Sequence, residues 1–278
     1  MNFINNQIKK YQIYIKNRPK NFAIKVGKKN IADGEFFIIA GPCAIENRNQ
    51  FFSIAKSLKN SGINIVRGGI FKPRTSPYDF QGVGIGGLGI LKEAKKKFGF
   101  LIASEVMSVE HFRLLEKFID IFQVGARNMY NYPLLSVLGR QRKPVILKRG
   151  MSATIKEFLS SAEYIAFNGN NKIILCERGI RTFDDFTRNT LDLAIVPALK
   201  KITYLPIIVD PSHGTGRKDL IEPMALAAVA AGANGIMVEV HNNPGKAFSD
   251  GQQSLSLNEF KKLASKISKF VDFFREIK

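Results

Sequence analysis

Short apolar runs rich in β-branched residues recur along the chain and alternate with segments whose apolar residues repeat at helical spacing. Each run is apolar nearly throughout, which is typical of parallel strands covered on both faces. The eight runs are residues 36–40, 63–67, 100–104, 121–124, 144–148, 172–176, 206–210 and 235–239. Strand–helix alternation repeated eight times predicts an α/β protein with a (β/α)₈ TIM barrel.

The segments between the strands predict the helices and the outer parts of the chain. Helices are expected at 49–61, 88–98, 109–118, 133–139, 155–169, 183–201 and 221–232, with a closing amphipathic helix from about Leu257. The Gly-rich stretch 82–89 is expected to be a loop. Residues 1–35 form an N-terminal extension to a barrel domain at 36–278, and 23–33 predicts a β-hairpin that caps the bottom of the barrel. An open doubly wound sheet is the alternative fold, but no Gly-rich dinucleotide fingerprint follows the first strand.

Length and composition narrow the class of protein. The 278 residues suit a single barrel, which typically takes roughly 250. No apolar run approaches the ~20 residues of a membrane span, the N-terminus lacks a secretory signal, and two cysteines make no disulfide framework. We therefore expect a cytoplasmic protein that does not associate with membranes. The net charge of +19 leaves nucleic acid as an alternative partner, but the sequence has no RNA-binding or zinc-finger signature.

Polar or reactive side chains stand at or just after the end of every predicted strand. They are Cys43, Arg67, Lys72, Arg74, Glu105, Arg127, Lys148, Arg178, His213 and Glu239. The carboxyl ends of barrel strands meet at one face, which is where the active sites of such barrels lie. Their shared position at the strand ends therefore predicts an active site built from these residues.

Cys43, His213, Glu239 and Asp250 suit a divalent transition metal, because they combine a thiolate, an imidazole and carboxylates. Each has an ordinary explanation when taken alone: a free Cys is usually a small buried hydrophobe, and Asp250 stands in a Ser-Asp-Gly turn. Strands one, seven and eight become neighbours when a barrel closes. That adjacency favours the shared metal site.

A second set at the strand ends is cationic. Its members are Arg67, Lys72, Arg74, Arg127, Lys148 and Arg178. Cations gathered at one barrel mouth repel one another unless anions bind between them, and Arg suits bidentate contacts to phosphate or carboxylate. The set predicts a ligand with two or more anionic groups, with Thr75 and Ser76 as further phosphate donors. The alternative is that each cation pairs with a surface carboxylate.

Eight segments between about residues 35 and 260 resemble the type Iβ subgroup of the 3-deoxy-D-arabino-heptulosonate 7-phosphate (DAHP) synthases. They are Gly-Pro-Cys-Ala (41–44), Arg-Gly-Gly-Ile-Phe-Lys-Pro-Arg-Thr-Ser-Pro-Tyr (67–78), Gln-Val-Gly-Ala-Arg-Asn (123–128), Leu-Lys-Arg-Gly (147–150), Cys-Glu-Arg-Gly (176–179), Asp-Pro-Ser-His-Gly-Thr-Gly (210–216), Val-Glu-Val-His (238–241) and Ser-Asp-Gly-Gln-Gln-Ser-Leu (249–255). The resemblance implies a transferase that joins phosphoenolpyruvate to erythrose 4-phosphate in the first step of the shikimate pathway. It also implies a divalent metal ion (Mn, Fe, Co or Zn) and a homo-oligomer, either dimer or tetramer.

The resemblance also assigns roles to single residues. The metal ligands would be Cys43, His213, Glu239 and Asp250, and the catalytic residues Lys72, Glu105 and His213. Phosphoenolpyruvate would be held by Arg67, Lys72, Ala126, Arg127, Lys148 and Arg178, and erythrose 4-phosphate by Pro73, Arg74, Thr75 and Ser76.

Two other enzymes remain as alternatives. The 3-deoxy-manno-octulosonate 8-phosphate synthases use arabinose 5-phosphate and usually show an Asn-Arg-Ser-Ser type of segment. This chain has Lys-Pro-Arg-Thr-Ser at 72–76, which favours erythrose 4-phosphate. A barrel aldolase that forms a Schiff base would instead use Lys148 as its nucleophile.

Overall fold

A computed structural model describes residues 8–26, 29–31, 35–74 and 76–277. Within these ranges, eight parallel strands form a closed barrel in which each strand pairs with the next and the last pairs with the first. The strands are β1 (Phe37–Gly41), β2 (Ile65–Arg67), β3 (Leu101–Glu105), β4 (Ile121–Val124), β5 (Val145–Lys148), β6 (Ile173–Glu177), β7 (Ile207–Val209) and β8 (Gly235–Glu239). Almost every strand residue is buried, as the apolar runs predict. The predicted TIM barrel is confirmed.

Helices cover the outside of the barrel. Those of the described chain are α1 (Arg48–Asn60), α2 (Gly87–Phe98), α3 (Val109–Leu115), α4 (Tyr132–Gly139), α5 (Ile155–Phe167), α6 (Ile195–Lys200), α7 (Pro211–Thr215), α8 (Ile221–Ala230) and α9 (Leu257–Glu276). Side-chain caps set where several begin: Asn47 accepts from the Gln50 amide, and Ser256 forms a capping box with Glu259. The closing helix α9 buries Phe260, Leu263, Ile267 and Val271 at the expected helical spacing.

The segment predicted as a helix at 183–201 is helical only from Ile195 to Lys200. The residues before it form a loop over the barrel mouth, because their side chains bond to other strand ends. The side-chain amide of Asn189 donates to the carbonyl oxygen of His213 at 3.0 Å, and Asp192 accepts from Arg149 at 2.9 Å. These tertiary contacts override the apolar spacing that predicted a helix.

Short helical segments that the sequence did not predict occur at two places, of which the first is the Gly-rich stretch expected to be a loop. Gly87 begins α2 inside the Gly-rich stretch, where a Cβ would stand only 2.5 Å from a side-chain methyl of Ile70. Because Gly87 has no side chain, the helix can begin in close contact with Ile70 in the loop that follows β2. The segment around His213 forms the short helix α7, which Asp210 caps by accepting from the His213 amide at 2.9 Å.

The residues ahead of the barrel contain the predicted hairpin: Lys25–Val26 pairs antiparallel with Lys29–Asn30. The hydroxyl of Thr203, just before β7, donates to the Ile13 carbonyl at 2.6 Å. Ile8, Ile13 and Ile31 are fully buried in the common apolar core. This segment therefore packs at the amino-terminal end of the barrel; the domain boundary at residue 35 stays a prediction. No helix in the described ranges has the length and apolar character needed to cross a membrane.

Candidate active site

A cavity of about 220 Å³ opens at the carboxyl ends of the barrel strands. Cations outnumber carboxylates in its lining. The predicted site residues that line it are Arg67, Lys72, Pro73, Arg74, Glu105, Ala126, Arg127, Lys148, Arg178, His213 and Asp250. Ser76 does not line the cavity, since its hydroxyl accepts from the Tyr78 amide at 3.3 Å. Thr75 lies outside the described residues.

Cys43, His213, Glu239 and Asp250 come together beside this cavity. One donor atom from each lies within 4.8 Å of all the others. Strand β8 pairs with β1 on one side and β7 on the other, so residues near those three strand ends become neighbours. Asp250 reaches the cluster from the loop after β8 with a left-handed backbone (φ 54°), a conformation that Asp tolerates better than most residues.

Neighbouring side chains hold two of these four groups, Glu239 and His213, in place. Arg67 donates to one oxygen of Glu239 at 2.7 Å, and Gln253 donates to the other at 2.7 Å. The Nδ1 of His213 lies 2.8 Å from Asp210, and its Nε2 lies 3.2 Å from Glu239. A carboxylate on Nδ1 fixes the imidazole tautomer that leaves Nε2 free to bind a metal.

Burial and neighbouring charges together determine the protonation states of these four side chains. Burial lowers the pKa of His213 to about 4, so the imidazole is neutral at pH 7. Burial also raises the pKa of Cys43 to about 12, and Glu239 and Asp250 add to the effect. The thiol donates to Asp250 at 3.0 Å. Although burial opposes it, His213 and Arg67 keep the pKa of Glu239 below its ordinary value, so this carboxylate stays ionised.

Lys72 lies against two members of the cluster. Its Nζ is 2.5 Å from the Cys43 sulfur and 2.9 Å from Asp250. Burial alone would lower the pKa of Lys72, but Cys43 and Asp250 raise it above its ordinary value. The side chain therefore presents an ammonium group, a proton donor, between the ligand cluster and the cavity.

The remaining cations divide into two groups. Two of them pair with a carboxylate: Lys148, which is buried, lies 2.5 Å from Asp210, and Arg74 pairs with Asp79 at the rim. The Arg74 pair is the kind that was expected if the cations bind surface carboxylates instead of a ligand. Arg127 and Arg178 differ, since among the described residues their guanidinium groups donate to backbone carbonyls, that of Pro73 for Arg127 and those of Gly179 and His213 for Arg178. Burial lowers the pKa of Arg178. These two guanidinium groups can take an anion without first losing a carboxylate partner among the described residues.

Glu105 lies at the opposite wall of the cavity. Its carboxylate accepts from the side-chain amide of Gln123 at 3.3 Å. It occupies space that Gly125 leaves open, because a Cβ at 125 would lie 2.1 Å from one carboxylate oxygen. A carboxylate facing the cations can orient a water molecule in the cavity.

Sequence reasoning missed three residues of the site, which are Arg188, Gln253 and Asp210. Arg188 donates to Asp250 at 3.2 Å and to Gln253 at 2.9 Å. It stands in the loop wrongly predicted as helix, so no pattern marks it. Asp210 had a signal: an Asp directly before Pro and three residues before His213 matches a helix cap whose carboxylate can also reach the ring.

Comparison with known proteins agrees with this geometry. Residues 12–273 match the DAHP synthetase I family. A phospho-2-dehydro-3-deoxyheptonate aldolase of Thermotoga maritima is 51% identical over 254 residues, which cover 91% of this chain and 75% of that protein. A 2-dehydro-3-deoxyphosphooctonate aldolase of Syntrophobacter fumaroxidans is 31% identical over 257 residues, covering 86% of this chain and 88% of that protein.

Solved structures give the same result. The crystal structure of the phospho-2-dehydro-3-deoxyheptonate aldolase (DAHP synthase) from Thermotoga maritima is 49% identical, with a TM-score of 0.91 over 95% of this chain and 77% of that chain. A truncated form of the 3-deoxy-D-arabino-heptulosonate 7-phosphate synthase from the same organism gives 0.87 at 46% identity, over 94% of this chain and 95% of that chain. The predicted family is confirmed: the chain belongs to the DAHP synthetase I family.

Proposed function

We propose that this protein is a DAHP synthase, which condenses phosphoenolpyruvate, D-erythrose 4-phosphate and water to DAHP and phosphate in the first step of the shikimate pathway. The observation that carries the proposal is a cation-lined cavity directly beside a four-residue ligand cluster. The higher identity to the heptonate enzyme, 51% against 31% for the octonate enzyme, favours erythrose 4-phosphate over arabinose 5-phosphate.

The family and the ligand cluster are compatible with a divalent metal ion, and we propose Mn, Fe, Co or Zn. The donor set supports this choice, because a thiolate, an imidazole and two carboxylates within 4.8 Å suit a borderline transition metal. When bound to Cys43, His213, Glu239 and Asp250, such an ion would supply Lewis acidity toward the sugar aldehyde.

The cations divide the substrates between them. We assign phosphoenolpyruvate, with its phosphate and carboxylate, to Arg67, Lys72, Ala126, Arg127, Lys148 and Arg178. We assign erythrose 4-phosphate to Pro73, Arg74, Thr75 and Ser76. Arg74 lies at the cavity rim, where it would exchange Asp79 for the sugar phosphate. The main role of these cations is to hold the two anionic substrates side by side despite their mutual repulsion.

The chemistry then needs one proton donor and one ordered water. C3 of phosphoenolpyruvate attacks the aldehyde carbon, and Lys72 gives a proton to the alkoxide that forms. Water held by Glu105 adds at the cationic C2 and passes a proton to the Glu105 carboxylate. The C2 hydroxyl so formed then becomes the ketone as the C2–O bond to phosphate breaks, and its proton leaves with the phosphate. His213 contributes as a neutral imidazole fixed by Asp210.

Product analysis tests the function. With phosphoenolpyruvate and metal present, erythrose 4-phosphate should be used on the order of 10²-fold better than arabinose 5-phosphate, measured as kcat/KM with mass identification of the product. A preference for the five-carbon sugar would assign the octulosonate reaction instead. Borohydride added during turnover should leave the protein mass unchanged; an adduct on Lys148 would support a Schiff-base aldolase.

Removing one cavity cation should weaken phosphoenolpyruvate use. Arg178→Ala or Lys148→Ala should raise the KM for phosphoenolpyruvate, or lower kcat, by at least about tenfold, since a lost charged contact costs ~1.5–3 kcal/mol. Steady-state kinetics check this, with Lys266→Ala on the exposed face of α9 as the control. Wild-type kinetics in both variants would show that these two charges do not bind substrate.

A further inference from the structure

Strands β5 and β6 each end in two neighbouring charged residues, of which one faces the cavity and one does not. Lys148 and Arg178 line the cavity, whereas Arg149 and Glu177 do not. Arg149 is 5% exposed and Glu177 is fully buried. A buried pair of charges directly behind two cavity cations is costly unless it is well bonded, so its contacts bear on what it does.

Arg149, Glu177 and Asp192 form a group that we call the outer ion cluster. The guanidinium of Arg149 donates to Glu177 at 3.0 Å and to Asp192 at 2.9 Å. Its Nε donates to the carbonyl oxygen of Ala153 at 3.0 Å. The cluster thus joins the ends of β5 and β6 to the loop before α6.

Glu177 also fixes the chain on the far side of Arg178. Its second carboxylate oxygen accepts from the Gly179 amide at 2.6 Å. Gly179 has a left-handed backbone (φ 87°), and a Cβ there would lie 2.7 Å from the Cβ of Asn189. The chain therefore bends back over Glu177, and Arg178 is the residue at the bend. Its guanidinium points to the His213 carbonyl at 3.2 Å, beside the cavity.

The two cavity cations depend on this support because nothing ionic within the cavity fixes Arg178. In the part of the chain that the structure describes, its guanidinium donates to the backbone carbonyls of Gly179 and His213. Lys148 stands one residue before Arg149, whose amide donates to the Cys176 carbonyl at 2.9 Å. Asp210 pairs with Lys148 at 2.5 Å and also attracts Arg178, but the guanidinium of Arg178 has no hydrogen bond to it. The placement of Arg178 therefore depends on the backbone that Glu177 and Gly179 fix.

We propose that the outer ion cluster is a positioning device that holds Lys148 and Arg178 at the spacing required by the anionic enol-phosphate substrate. The inference rests on the proposed function, since it assigns those two cations to phosphoenolpyruvate. Arg149, Glu177 and Asp192 touch no substrate in this scheme. They act on binding through the backbone at the ends of β5 and β6.

Glu177→Gln is the first test, because it removes the charge with almost no change in volume. The KM for phosphoenolpyruvate should rise about tenfold or more, as small displacements at a reacting centre have effects of this size. The KM for erythrose 4-phosphate and the bound-metal content should change less than about twofold. Arg149→Met should behave likewise, and Arg149→Lys, which keeps the charge, should recover part of the loss.

The matched control is Asp120→Asn at the opposite end of the barrel. Asp120 is also partly buried, pairs with Lys95 and accepts from the Ile102 amide. This variant should lower the melting temperature without changing the KM for phosphoenolpyruvate. If Glu177→Gln and Arg149→Met also lose only thermal stability, the cluster is structural and the proposal is overturned.

Direct binding separates this proposal from the proposed function. Calorimetric titration of the metal-loaded protein with phosphoenolpyruvate alone should show weaker binding in Glu177→Gln, whatever sugar the wild type uses. An unchanged Kd would overturn the positioning role even if wild-type turnover is confirmed. Conversely, if the wild-type protein makes no DAHP, the proposed function is wrong, and the phosphoenolpyruvate titration still decides the positioning role. Should Glu177→Gln not fold, the Arg149→Met and Arg149→Lys pair gives the same decision.

Discussion

Cys43→Ala is expected to abolish turnover and to lower the bound-metal content while the barrel stays folded. The thiol is one of only four donors in the proposed site, and its removal leaves three. The loss should exceed the ~10–100-fold typical for removing a residue that merely supports a ligand. Activity, elemental analysis and thermal melting of the purified variant measure the three parts of this expectation.

Cys176→Ala is the matched control for that experiment. Cys176 is equally buried, but it lies within β6 and outside the ligand cluster. This variant should keep its metal and its activity. Full activity of the wild-type protein after chelation to a metal-free state would contradict the proposed role of the cluster as a whole.

Lys72→Met should lower kcat by about 10²–10⁴-fold, the range expected when a general acid is removed. The ammonium group lies 2.5 Å from Cys43 and 2.9 Å from Asp250, and methionine keeps the unbranched chain up to Cε but has no ammonium group and no proton to give. Metal content should be retained, because the substitution removes a cation from beside two proposed ligands. Steady-state kinetics and elemental analysis on the same sample check both statements.

Lys246→Met serves as the control, since Lys246 is an exposed lysine in the loop after β8. It should have wild-type kinetics. A kcat for Lys72→Met within a few-fold of wild type would show that another group, or solvent, protonates the alkoxide. A proportional loss of metal in that variant would instead show that Lys72 maintains the cluster.

The sequence was most informative where periodic structure controls position. Strand ends in a closed barrel share one face, so the sequence alone places residues such as Arg67, Lys148 and Glu239 together. The ligand cluster followed from the same topology, because β8 lies between β7 and β1. These predictions needed only hydrophobic spacing and the closure of the barrel.

The contacts that the sequence did not indicate are made by residues in loops. Arg188 and Asp192 lie in a segment whose apolar spacing resembles a helix, yet each binds a residue more than 40 positions away. Asp250 was predicted as a metal ligand, although alone it is typical of a turn; the sequence did not indicate the left-handed backbone with which its carboxylate contacts Cys43. Such contacts are set by tertiary structure and leave no local periodicity.

Closure of the barrel through β8 and β1 also sets an order of events during synthesis on the ribosome. Cys43 follows the first strand and Glu239 ends the last, so the ligand cluster cannot exist until nearly the whole chain has emerged. The Ile13–Thr203 bond, which spans 190 residues, likewise cannot form until the chain has emerged beyond Thr203. Contacts so distant in sequence make folding slow, and in a nascent chain of this protein the proposed metal site is not yet assembled.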